Sequence, residues 1–132
     1  MKKQNGFSLI EILIVLMILA ILVVALTPVY QSHVLRGNRS DAIHSLSAMQ
    51  TNEEKWRLNN TSYTSTVTNV SPTGTSTSPQ GYYTLAVSSA TASAYTLTAT
   101  ATGSQASDTD CATFTLTYAS NTTTRTPTAC WQ

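Results

Sequence analysis

The side chains that could do chemistry in this chain are few and poorly placed to act together. His33 and His44 are eleven positions apart, three helical turns or about 16 Å along an axis, too far to share a metal or a nucleophile. Glu53 and Glu54 are adjacent and so point to different helix faces. Asp108 and Asp110 flank a turn before Cys111 and offer two carboxylates to a cation. A calcium ion takes six or more oxygens, so a solvated turn is the favoured reading there. The chain holds no Gly-rich phosphate loop and no C-x-x-C pair, and no base stands at a readable spacing from its many Ser and Thr. These absences predict no catalytic residue, no metal site and no cofactor, which excludes the common enzyme classes. Asn-x-Ser/Thr triplets such as Asn60-Thr61-Ser62 are expected by chance in such a composition.

Two features remain. Cys111 and Cys130 form an even count behind an N-terminal apolar segment, which points to one disulfide in an oxidising compartment. Two free buried thiols are the alternative. The loop closed would have ends 19 positions apart and would contribute about 3 kcal/mol in the chain-entropy model. The second feature is Glu11, an acid at the edge of fifteen uninterrupted apolar residues, Ile12 to Leu26. Counted from Phe7 the stretch is twenty positions, which as a helix is about 30 Å, the thickness of a bilayer core. A lone carboxylate there costs several kcal/mol unless it is paired or neutral. Thr27-Pro28 follows the run without an A-x-A cleavage pattern. The conspicuous small residue, Gly6, comes before it. A secretory signal, an ordinary anchor, and a helix that serves a membrane first and an assembly later all compete for this segment.

The charged fraction is 10% and the net charge +1, without the basic bias of a nucleic-acid binder. Arg36 and Arg39, or Lys55 and Arg57, could form small patches, with Arg125 apart. Phosphate binding usually recruits more positive charge, so solvated helix faces are the plainer reading.

Pro28 removes a helical donor and predicts a kink, with helix resuming over residues 29–58. Ala42, Leu46, Met49, Glu53 and Trp56 recur at helical spacing and form a mostly apolar stripe suited to a sheet. Ser40-Asp41 could cap a turn, Gly37 could mark a bend, and Asn59-Asn60 would end the helix through the αL tolerance of Asn. Residues 61–80, rich in Ser, Thr and Pro, read as a loop. Over residues 81–131, Tyr83/Leu85/Val87, Tyr95/Leu97/Ala99 and Phe114/Leu116/Tyr118 alternate with small or polar residues, and short turns such as Thr102-Gly103 join them. These patterns predict an α+β fold: a long N-terminal helix packed on an antiparallel sheet of three strands, or four if Thr122–Thr126 adds one. The apolar face would meet the helix and the Thr face water.

The stretch KKQNGFSLIEILIVL resembles the type III signal of type IV pilins: a basic leader, Gly6, Phe7, Glu11 four residues later, then an apolar helix. The C-terminal half, GYYTLAVSSATASAYTLTATATG and CATFTLTYASNTTTRTPTACW, is similar to PilE-type minor pilins. The resemblance implies the type IV pilin fold with a C-terminal disulfide-bounded region. It divides the chain into a leader, 1–6, a membrane and filament-core helix, 7–28, and a periplasmic globular domain, 29–132. It implies cleavage between Gly6 and Phe7 by a prepilin peptidase, N-methylation of Phe7, and a register role for Glu11, whose carboxylate faces the N-terminal ammonium of a neighbouring subunit in that family and, four residues from Phe7, could also engage its own. Many pilins carry a glycine where this chain has Ala20, whereas Pro28 is present. The implied function is a structural subunit, a minor pilin, that waits in the inner membrane and enters an extracellular pilus. Its implied partners are other pilin subunits and the pilus assembly machinery, and the pilus would support motility, adhesion or DNA uptake. The alternatives are a DNA-binding pilin receptor for natural transformation, a major pilin, and a type II secretion pseudopilin. Pseudopilins often carry a C-terminal calcium site and lack the disulfide.

Overall fold

The long apolar run and the stripe that follows it form a single helix, α1 (Leu9–Arg57), 49 residues long, with Glu11 in its first turn and Lys55 and Arg57 in its last. That charge order complements the helix dipole. This computed structural model describes residues 6–132; most of the expected leader, residues 1–5, lies outside the described residues. Helix is retained through Pro28 and Gly37. Pro28 lacks the N–H that would bond the carbonyl four residues earlier, and the neighbouring Thr27 hydroxyl donates to the Val23 carbonyl at 2.8 Å. The chain divides into two compact units, residues up to Val34 and Leu35–Gln132. In the first, the large apolar side chains are exposed.

In the second unit, Ala42, Leu46, Met49 and Glu53 are fully buried along one face of α1, and Trp56 is half-buried. They face a four-stranded antiparallel sheet in the order β1 (Tyr83–Ala90), β2 (Ala94–Ala101), β3 (Thr113–Ala119), β4 (Thr122–Thr126). The fourth strand is therefore present. Register places Tyr95 opposite Tyr118, Leu97 opposite Leu116 and Ala99 opposite Phe114. The alternate pairs, Thr96–Thr117, Thr98–Thr115 and Thr100–Thr113, lie on the other face and are half-buried or exposed. Period-two alternation thus separates a core face from a threonine face. Aromatic edges fill the core: Tyr63 meets Tyr95 at 4.6 Å and Tyr83 meets Phe114 at 5.7 Å between ring centres. Such edge-to-face pairs add about 1 kcal/mol beyond the buried area.

Local details differ from the sequence reading. Ser40 and Asp41 do not cap a turn. Both lie within α1, where the Ser40 hydroxyl bonds the Gly37 carbonyl. Asn59-Asn60 does follow the helix, but neither has a positive φ; instead the Asn60 amide donates to the Trp56 carbonyl at 2.8 Å. The loop contains a short helix, α2 (Val67–Val70), whose Val70 enters the core. It also holds a chain of hydroxyls, Ser71 to Thr73 at 3.1 Å and Thr73 to Thr75 at 2.9 Å, that substitutes for missing apolar anchors. The β2–β3 connection is not a tight turn at Thr102-Gly103. It runs through 3₁₀ turns at Gly103–Ser107 and Thr109–Cys111, with Gly103 at φ +56°. The β3–β4 hairpin turns at Ser120-Asn121, both at positive φ, as a two-residue turn between right-twisted strands requires.

The disulfide joins Cys111 to Cys130 across a Cα–Cα distance of 5.8 Å, within the usual range. Both residues are buried, and the bridge ties the last turn of the β2–β3 connection to the chain end. All described buried residues fall between Asp41 and Cys130, so residues 29–132 contain the whole core. Replacing both cysteines with Ala in that segment is expected to lower unfolding free energy by about 3 kcal/mol. Urea denaturation checks this; an unchanged midpoint would contradict it.

Candidate functional site

At the start of the described chain, Gly6 and Phe7 precede α1, and Phe7 is 80% exposed. Ser8 begins the first turn, its carbonyl accepting from the Glu11 amide at 3.0 Å. Ser8 and Glu11 have the S-x-x-E spacing of a helix start, and Glu11 sits where the helix dipole is positive. From Leu9 to Leu26 the large apolar side chains are exposed. The helix is long and apolar enough to cross a membrane by length and composition. Gly6, Phe7 and Glu11 thus share one exposed terminus, and Pro28 lies 17 positions beyond Glu11.

In the globular unit the acids are largely inside. Asp108 is not a solvated turn residue: the Arg39 guanidinium grips its carboxylate with two bonds, Nε to Oδ2 at 2.7 Å and Nη2 to Oδ1 at 2.8 Å. The hydrogen bond to Asp108 raises the Arg39 pKa against the opposing effect of burial. Buried Gln105 donates to the Leu35 carbonyl and the Tyr83 hydroxyl, each at 3.0 Å, and accepts from Asn38 at 3.1 Å. Buried Asp41 accepts from the Ser78 hydroxyl and the Gln80 amide. Sequence reasoning missed Gln105 and both acid pairings. Asp110 stays exposed, and among the described residues no cluster of three His, Cys, Asp or Glu could hold a metal ion. His33 and His44 are both exposed.

Glu53 is the third buried acid. Its Oε2 accepts from the Thr64 amide at 3.0 Å, pinning the loop to α1. Its Oε1 has no partner among the described residues. Burial raises its pKa, the Thr64 bond opposes this, and the Glu54 charge adds to it. Glu54, on the exposed side, accepts from the Tyr63 hydroxyl at 3.3 Å and the Tyr95 hydroxyl at 3.2 Å. Burial, followed by the Glu54 charge, pushes the Tyr63 hydroxyl up to about 12 and raises Tyr95 further still.

This distribution leaves a surface more basic than the formula suggests. Asp41, Glu53 and Asp108 are buried, while every Arg and Lys of the globular unit is half-buried or exposed. Arg36 and Arg39 line a shallow pocket with Ala129, Cys130 and Gln132. The Arg125 guanidinium lies 5.4 Å from the Trp131 ring centre, and Trp131 packs its edge on Phe114. Arg57 lies over Tyr63 and donates to the Ala92 carbonyl. Three arginines and one indole therefore surround the chain end beside the disulfide. That arrangement can hold phosphates through charge and a ring through stacking.

The Glu53 environment fixes a pH dependence. A carboxyl with a raised folded pKa binds its proton more tightly folded than unfolded. Its destabilising contribution is complete above the folded pKa and disappears as pH falls toward the unfolded value of about 4.3. Glu53→Gln is expected to stabilise residues 29–132 at pH 7 by about 1 kcal/mol and to confer less benefit at acid pH. Urea midpoints of both forms across that range check this; parallel pH profiles would refute it.

Two family models match the chain. Residues 28–115 match the model described as type IV minor pilin ComP, DNA uptake sequence receptor. Residues 1–27 match the prokaryotic N-terminal methylation motif. The first match spans the second half of α1 and the sheet through the start of β3, and the second covers the terminus that carries Gly6, Phe7 and Glu11. The long apolar helix, the four-stranded antiparallel sheet and the Cys111–Cys130 bridge form the type IV pilin fold; the chain belongs to the type IV minor pilin ComP family.

Proposed function

We propose that this minor pilin acts in its type IV pilus as a receptor for DNA. The observation that carries the reading is the match of residues 28–115 to a family described as a DNA uptake sequence receptor. The burial of Asp41, Glu53 and Asp108 supports it, because it leaves Arg36, Lys55 and Arg125 facing solvent against few exposed acids. Arg36, Arg39, Arg125 and Trp131 are the proposed contacts, arginines to phosphates and the indole to a base or sugar. Membership of a minor-pilin family separates the chain from major pilins and secretion pseudopilins.

The route to the pilus is also a proposal at the residue level. The apolar segment anchors the chain in the inner membrane before assembly. Prepilin peptidase would cut between Gly6 and Phe7, and Phe7 would be N-methylated. The mature chain would then comprise a membrane and filament-core helix over 7–28, with Pro28 as a point of local loosening, and a periplasmic domain over 29–132. Four residues put Glu11 about 6 Å along a helix from the new terminus. Among apolar neighbours, its carboxylate would be relieved by the ammonium of another subunit, which makes the pair a register device.

Two experiments test these readings. Residues 29–132 should bind double-stranded DNA with log K falling linearly in log salt, with a slope of about −3 for three to four phosphate contacts. Arg125→Ala should reduce that slope by about 1. Absence of salt-sensitive binding in a gel-shift series would remove the receptor reading. For the terminus, Gly6→Ser should leave unprocessed precursor in the membrane. Glu11→Val should be processed and inserted yet absent from sheared pili, as measured by immunoblot of both fractions. Mature Gly6→Ser protein of normal size, or normal incorporation of Glu11→Val, would contradict the assignments.

A further inference from the structure

A second polar surface lies where α1 ends. Asn52, Lys55 and Trp56 are spaced by three and one in the last turns of α1, which places them on one helix face, and Asn59 follows in the turn just beyond. Together with Asn60 and Asn69 they line an open groove of about 460 Å³, within the range of about 300–1,000 Å³ typical of small-molecule sites.

The amides in this groove are held, not loose. Asn52 donates through Nδ2 to the Val70 carbonyl at 2.8 Å. Asn60 donates through Nδ2 to the Trp56 carbonyl at 2.8 Å. Asn69 donates through Nδ2 to the Thr64 hydroxyl at 3.3 Å. In each case one of the two amide N–H groups is bonded to the scaffold, while Oδ1 and the second N–H have no bond among the described residues. The groove is therefore lined by three fixed amides, each keeping a carbonyl acceptor and one N–H donor unspent. Beside them stand the exposed Lys55 ammonium, which has no ion pair among the described residues, and the half-buried Trp56 indole. Fixed groups bind more tightly than mobile ones because less freedom is lost on contact.

The donor and acceptor pattern selects the ligand. One lysine is a poor match for a polyanion backbone. Without carboxylates the groove is weak for a hard cation. Its lining has no aliphatic side chain to anchor a peptide. A pyranose sugar offers what is missing: several hydroxyl donors at close spacing for the amide oxygens, and an apolar C–H face for the indole. The unpaired ammonium favours a sugar that also carries a carboxylate. From this geometry we infer a binding site for an acidic saccharide, with its hydroxyls on Asn52, Asn60 and Asn69, a ring against Trp56 and a carboxylate on Lys55. The site is separate from the arginines around the chain end, so it stands whether or not those bind DNA.

The test is isothermal titration calorimetry of the full chain in detergent micelles, with a galacturonic acid trisaccharide and its neutral galactose counterpart as probes. The acidic sugar should bind saturably, and about tenfold more tightly than the neutral one. Lys55→Gln should remove that preference, and Asn69→Ala should weaken both sugars while circular dichroism shows the fold intact. No saturable heat up to about 10 mM, equal affinity for the two sugars, or variants that bind like the parent would overturn the inference. A DNA duplex that displaces the sugar, and whose own binding is lost in Lys55→Gln, would overturn it too by assigning the groove to DNA.

Discussion

Everything in the globular unit depends on one constraint: a sheet rich in threonine must find enough apolar contact on a single face. The face is small. Tyr83, Leu85, Tyr95, Leu97, Ala99, Phe114 and Leu116 are buried there, and one stripe of α1 covers them. Ala42, Leu46 and Met49 fit between the rings because they are compact or flexible, and Val70 of α2 closes the margin. Burial of this kind contributes about 25 cal/mol per Å², which is limited in so small a core. The disulfide and the polar ties from α1 to the loops add what the apolar area does not supply.

Those ties explain where the acids are. A helix that must be gripped by loops with few hydrophobic side chains offers carboxylates as acceptors. Asp41 holds residues 78–80, Glu53 holds Thr64, and Asp108 reaches back to Arg39. The anchors at Asp41 and Glu53 also remove negative charge from the surface, whereas Asp108 is paired with Arg39. The fold therefore converts a nearly neutral composition into an outer face on which cations are the more accessible charges, without adding a single lysine or arginine. Long-range attraction of a polyanion follows the exposed charges, not the sum over the sequence.

The two ends of α1 show the same chemistry used for opposite purposes. At the N-terminal end an exposed apolar surface carries one acid in a setting that penalises it, and the proposed relief comes from another chain. In the globular unit, Glu53 is buried within the chain itself, and its partner is a backbone amide of the same chain. One carboxylate is suited to select a neighbour; the other fixes a loop.

Much of this could be read from the sequence because its signals are local. The stripe at 42, 46, 49 and 53, the alternation of Thr with Tyr, Leu and Phe, and the Gly6–Phe7–Glu11 pattern all lie within a few residues of one another, where helix and strand periodicity act. The pairing of Cys111 with Cys130 was legible for a different reason: two cysteines allow one disulfide. What could not be read joins distant positions. Arg39 and Asp108 are 69 residues apart, and Asp41 and Ser78 are 37 apart; nothing near Asp108 distinguishes a buried partner from a solvated turn. The groove beside Trp56 likewise needs α2 folded back on the end of α1. The sequence by itself determined the elements and their inner faces, since these follow from backbone periodicity and short-range steric rules, and it carries the N-terminal methylation motif as a contiguous pattern. Only the tertiary structure decided which charges are hidden and which polar groups are left facing outward, because burial is a property of the packed chain and not of any one residue.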